Sequence, residues 1–176
     1  MTKRRVQVTA GAALFYPLLL FLDTDGWLCA ILPGVLCHEL GHLAALRACG
    51  GQVKHIQLEA AGLRMDVTPF TSAAQEMLCA AAGPTAGFLW AFVSKSLNTV
   101  WSVRSSAAAV VINGFNLLPA LPLDGGLILF ALTRNRSLTL FFSWATAAAL
   151  AAAFYKWKAW GLLVPAALII KIAVNS

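Results

Sequence analysis

Residues 27–48 read WLCAILPGVLCHELGHLAALRA. As a helix rising 1.5 Å per residue this run is about 33 Å long, enough to cross a bilayer's hydrocarbon core of roughly 30 Å. Its cysteines aside, only His38, Glu39, His42 and Arg47 in it can carry charge. Arg47 closes the run, but the other three sit inside it, spaced H-E-x-x-H. Positions i and i+4 of a helix share a face, so both imidazoles can bind one zinc ion. The Glu beside the first His then reaches water at the metal as general base. Two imidazoles and a carboxylate in an apolar span are costly, and such groups are usually functional and partnered. The plainer reading, in which neighbouring helices merely satisfy all three, is the weaker one.

The whole chain has the same character. Of its 176 residues, 60% are hydrophobic and 11% charged, and mean hydropathy is +0.76. A soluble domain would carry about a quarter charged residues, so lipid is the expected solvent. Apolar runs fall near 8–22, 27–48, 73–93, 107–132, 138–155 and 160–174. The reading is one domain, residues 1–176: an all-α polytopic membrane protein of about six spans. MTKRR before the first run imitates a signal peptide, but lacks a convincing cleavage site and is followed by further spans, so it reads as a retained first helix.

A net charge of +6 raises nucleic acid as a partner, and its distribution argues against one. The basic residues lie between spans, as the positive-inside rule expects. With the N-terminus inside, Lys3, Arg4, Arg5, Arg47, Lys54, Arg64, Arg134, Arg136 and Lys171 are cytoplasmic, and Lys95, Arg104, Lys156 and Lys158 are outside. This predicts a multi-pass protein of the cell membrane with both termini in the cytoplasm. Cys29, Cys37, Cys49 and Cys79 show neither zinc-ribbon nor disulfide spacing and read as small apolar packing residues.

After the second run, VKHIQLEAAGLRMDV (53–67) changes period. Ile56, Leu58 and Ala60, then Leu63, Met65 and Val67, alternate with polar residues about Gly62. This predicts a short β-hairpin with one apolar face. Its plain role is a cap on the membrane domain; the sharper one is a strand edge on which an unfolding substrate could pair.

Two His leave a catalytic zinc site one protein ligand short. In NGFNLLPALPLDGG (113–126), Asp124 is the lone acid of the fourth run. Pro119 and Pro122 forbid a regular helix there, while Gly125 and Gly126 permit close approach. Broken backbone at membrane depth is tolerated where protein or a wet cavity covers it. The second and fourth runs cross in the same direction. His38 and His42 lie roughly 16 and 22 Å below Trp27, and Asp124 roughly 25 Å below Ala107. The levels match, so Asp124 is the candidate third ligand.

With HELGH at His38–His42 and Asn116-x-x-Pro119-x-x-x-x-Asp124-Gly125, the chain resembles the site-2 protease family of intramembrane zinc metalloproteases. AGPTAG at 82–87 is a weaker match. The resemblance implies one zinc per chain on His38, His42 and Asp124, water activation by Glu39, and a role for Asn116 in orienting or stabilising the substrate carbonyl. From the residues alone, Asn116 reads nearly as well as a cap on the broken helix. The layout is most similar to the compact branch that includes the sporulation sigma-factor-processing protease. It departs from that branch in stopping at Ser176 without a nucleotide-sensing domain. It departs again at Gly87, where family members often carry Asn. The implied substrate is a membrane-tethered protein cut within or at the edge of the lipid bilayer, with any regulatory membrane partner unidentified. Two other readings stand beside this one. A metal transporter would need polar residues along several helices, which the first, fifth and sixth runs lack. An inactive protease-like scaffold would not need the intact HExxH and Asp.

Overall fold

The helix starts are written in the sequence as side chains that accept free backbone N–H groups. Thr9 accepts from Ala12, Ser72 from Gln75 and Asn135 from Leu138, while Thr99 and Ser102 form a reciprocal capping box. Asp23 takes the N–H groups of Trp27 and Leu28 on its two carboxylate oxygens. The computed structural model describes residues 5–59, 62–158 and 163–175. Lys3, Arg4, Ala60 and Trp160, used in the sequence reading, lie outside these.

Seven helices result among the described residues: α1 (Ala10–Leu22), α2 (Trp27–Ala48), α3 (Ala73–Ser96), α4 (Val100–Asn116), α5 (Asp124–Thr133), α6 (Arg136–Trp157) and α7 (Leu163–Asn175). Three of them, α2, α3 and α6, are long and apolar enough to cross a membrane. The predicted fourth span is two helices, α4 and α5, broken over residues 117–123. Pro119 and Pro122 fall inside that break, where their missing N–H groups cost no helical hydrogen bond.

The expected hairpin is present as β2 (Val53–Glu59) and β3 (Gly62–Val67), antiparallel with Ile56 opposite Met65. The structure adds a third strand to this hairpin in an otherwise helical chain. Arg5–Val8 form β1, parallel to β2 with Val6 opposite Ile56, so the sheet order is β1-β2-β3. Val8, assigned to the first span, belongs to this strand. One edge of β2 is therefore already filled by the chain's own N-terminal segment. β1 precedes α1 and β2 follows α2, so the outer ends of that helix pair lie on the same side.

Burial runs opposite to that of a soluble protein. The buried apolar residues are almost all alanine, whereas Phe21, Phe92, Leu14 and Val111 are among the exposed ones. Helices in lipid gain no hydrophobic drive by associating and pack instead through small side chains. A Cβ at Gly41 would overlap the Ala82 carbonyl, and one at Gly34 would come 3.0 Å from Ala109 Cβ. Glycine thus brings α2 against both α3 and α4. Ala45, Leu46 and Cys79 form one core cluster, against which Val53 and Val67 seat the sheet. Ala120, Ala147 and Ile169 form another, joining the 117–123 segment to α6 and α7.

Candidate metal centre

The spacing of HELGH puts His38 and His42 on one face of α2, with ring centroids 4.6 Å apart. Their Nε2 atoms are separated by 3.0 Å. Asp124 is the first residue of α5, and the broken segment before it delivers its carboxylate to the same point. Asp124 Oδ2 lies 3.3 Å from His38 Nε2, and Oδ1 lies 3.4 Å from His42 Nε2. His38 and Asp124 are buried, at 6% and 9% exposure. No other described His, Cys, Asp or Glu joins this group of donor atoms, which all lie within 4.8 Å of one another.

The approach of Asp124 depends on what surrounds it. A Cβ at Gly125 would overlap the Leu117 carbonyl, and one at Gly126 the backbone of Ala120. The two glycines let α5 start directly beneath the segment that feeds it. That segment is pinned from α6, where Ser143 Oγ accepts the Leu121 N–H at 3.0 Å.

Hydrogen bonds on the far sides of the rings fix what the near sides present. His42 Nδ1 donates to the Cys79 carbonyl at 2.7 Å. His38 Nδ1 donates to Asn113 Oδ1, also at 2.7 Å, and Asn113 Nδ2 donates to the Ala109 carbonyl. Both histidine partners are acceptors, so each neutral ring holds its proton on Nδ1 and leaves a bare lone pair on Nε2. In that tautomer two lone pairs and a carboxylate converge, a donor set suited to a cation.

Geometry favours the same occupant. Tetrahedral ligands about 2.0–2.1 Å from zinc stand roughly 3.3 Å apart, and the observed separations are 3.0, 3.3 and 3.4 Å. Two imidazoles and one carboxylate are also a familiar donor set for catalytic zinc, which keeps its fourth position open. The residues present therefore fit the metal.

Glu39 stands outside this donor group and is half-buried. It directly follows His38 on α2, so it sits beside the donor group. Tyr16 of α1 donates to the Glu59 carbonyl at 3.2 Å. That bond ties α1 to the end of β2. Asn116 is the last residue of α4 and half-buried; it takes no part in the hydrogen bonds that orient the rings.

The sequence reading missed Asn113, although that residue opens the stretch from which Asp124 was picked. It named Gly87 of the AGPTAG segment only as a departure from the resembled family, and gave no part to Gly83. A Cβ on Gly83 would overlap the His42 ring, and one on Gly87 the Asn113 amide. The advance signals were that departure at Gly87 and the small-residue spacing, which marks close approach without saying to what.

Neither the protein-family models nor the curated proteins yield a match to this sequence. The architecture does match a solved structure. The chain is similar to Site-2 Protease from Methanocaldococcus jannaschii, with TM-score 0.75 and 19% identity, over 99% of this chain and 91% of that one. This chain has the site-2 protease fold.

Proposed function

We propose that this chain, which carries the site-2 protease fold, is an intramembrane zinc metalloprotease hydrolysing peptide bonds of membrane-tethered proteins. The observation that carries the reading is the convergence of His38 Nε2, His42 Nε2 and the Asp124 carboxylate on one point, beside a carboxylate that is not a donor. His38, His42 and Asp124 would hold one zinc ion. When bound, zinc supplies Lewis acidity toward a scissile carbonyl and its attacking water.

The remaining chemistry belongs to the chain. Glu39 takes a proton from water at its carboxylate and gives it to the departing amine nitrogen. Asn116, at the break after α4, donates its amide to the substrate carbonyl. Asp124 is buried, which limits competing water. A substrate helix has to unwind before a carbonyl can enter, since its own hydrogen bonds otherwise occupy it. The outer edge of β3 offers unpaired backbone groups to the opened strand. The six-span layout, with α4 and α5 as one broken span, and cytoplasmic termini complete the reading. A membrane-bound pro-sigma factor is one substrate of the required kind.

Glu39→Gln tests this, since it keeps shape and hydrogen bonding but removes the proton acceptor. A general base contributes about 10²- to 10⁴-fold to rate. Cleavage of small membrane proteins, followed by mass spectrometry in cells, should nearly vanish while zinc content stays at the wild-type level. Near wild-type cutting by Glu39→Gln sinks the mechanism. Zinc movement across vesicles by a wild type that cuts nothing would favour the transporter reading instead.

A further inference from the structure

We infer that Asn113 is a positioning residue that sets His38 for metal binding, and that Gly87 is the cradle its amide requires. The inference rests on the zinc-site reading above. It adds that the amide is defined by the place it fills rather than by the helix that bears it.

Asn113 is fully buried in α4, yet an amide inside a helix pack is tolerated only when its bonds are made. Both ends of it are engaged. Nδ2 donates to the Ala109 carbonyl at 2.7 Å, one turn back on the same helix. Oδ1 faces His38 Nδ1 at 2.7 Å. The first contact determines the second. A flipped amide would set oxygen against the Ala109 carbonyl oxygen and N–H against the His38 N–H. Asn113 therefore holds the ring proton on Nδ1 and turns Nε2 toward His42 and Asp124. His42 receives the same service from a backbone carbonyl, which no substitution removes. His38 depends on a side chain.

The space for that side chain comes from α3. A Cβ built on Gly87 would overlap Nδ2, Oδ1 and Cγ of Asn113. Any residue there other than glycine must displace the amide or be displaced by it. The overlap has a second consequence. Position 87 points at the place where the amide already lies, so an asparagine rooted on α3 would set its own amide within reach of His38. Glycine at 87 with asparagine at 113, and asparagine at 87 with a small residue at 113, are two ways of building one contact.

The experiment measures zinc affinity of the purified protein in detergent by competition with a chromophoric chelator. Cobalt-loaded protein adds a visible absorption spectrum that reports ligand geometry. Outer partners of metal-bound histidines typically control affinity by about 10- to 100-fold. Asn113→Ala should weaken zinc binding by that factor and alter the cobalt spectrum. Gly87→Ala should weaken it too, and the exchange Gly87→Asn with Asn113→Ala should bring affinity back to within about threefold of wild type. Recovery by the exchange cannot come from a merely structural loss. Wild-type affinity in Asn113→Ala overturns the inference, as does a folded exchange variant that binds no tighter than Asn113→Ala. Wild-type protein supplies a check needing no variant: nitrogen NMR of its histidines should show His38 protonated at Nδ1, and an Nε2 proton there overturns the assignment. A wild type that binds no zinc at all would instead bring down the zinc-site reading itself.

Discussion

Asp124 and Gly83 serve the centre in opposite ways, one by supplying an atom and the other by withholding one. Asp124→Ala removes the anionic donor and leaves two imidazole lone pairs facing each other. Metal analysis of the purified variant should show zinc far below the about one ion per chain expected for wild type, with helix content by circular dichroism unchanged. Full zinc occupancy in that variant would remove Asp124 from the ligand set. Gly83→Ala adds a methyl where the His42 ring already lies. Overpacking of this kind costs about 1–3 kcal/mol, so a lower thermal midpoint in detergent and weaker zinc binding are expected together. Thr85, two residues on, is exposed, and its hydroxyl donates to the Ala81 carbonyl of its own helix. Thr85→Ala should change neither reading, and equal damage from both substitutions would rule out a specific clash at His42.

The element that carries Asp124 is irregular, so its position rests on what braces it. Ser143 is fully buried and accepts the Leu121 N–H while donating to the Thr139 carbonyl. Ser143→Ala leaves a part-buried N–H without its acceptor, a loss of about 1–3 kcal/mol. The thermal midpoint in detergent should fall, and zinc should leave faster into excess chelator because the Asp124 segment is no longer pinned. Unchanged zinc release would separate α6 from the site. Much of this architecture was legible in the sequence. α2 matches the quoted run at both ends, and the break before Asp124 falls where two prolines put it, because hydropathy and proline act locally. β1 was not legible, since Arg5–Val8 is a strand only because β2 offers an edge some fifty residues away. Asn113 escaped for the same reason. Its meaning lies in a bond to His38, on another helix, and three residues of apolar context said nothing of it.

At the scale of the whole molecule, an exposed coat of large apolar side chains over a core of alanine, glycine and serine leaves lipid as the only comfortable surrounding. Such a coat does not by itself say which end faces the cytoplasm. The sheet narrows the choice, because β1 pairs with β2 and so places the N-terminal strand and the hairpin together. Whatever side holds one holds the other. The excess of Lys and Arg falls on that side under the N-in arrangement. α3, 24 residues long, then separates Gln52 from Thr99, both of which are exposed. Single cysteines at these two positions should react with an impermeant maleimide from opposite faces of sealed vesicles, with Gln52→Cys on the cytoplasmic face. The background for this needs Cys29, Cys37, Cys49 and Cys79 replaced by alanine. Removing Cys79 is compatible with the centre, because His42 uses its backbone carbonyl and not its thiol. Reaction of both positions from one face would mean that α3 does not cross, and the shared crossing direction of the HELGH helix and the Asp124 segment would lose its basis. Opposite faces with Gln52 outside would keep the fold and the centre but invert the protein, moving the catalytic half toward the external side.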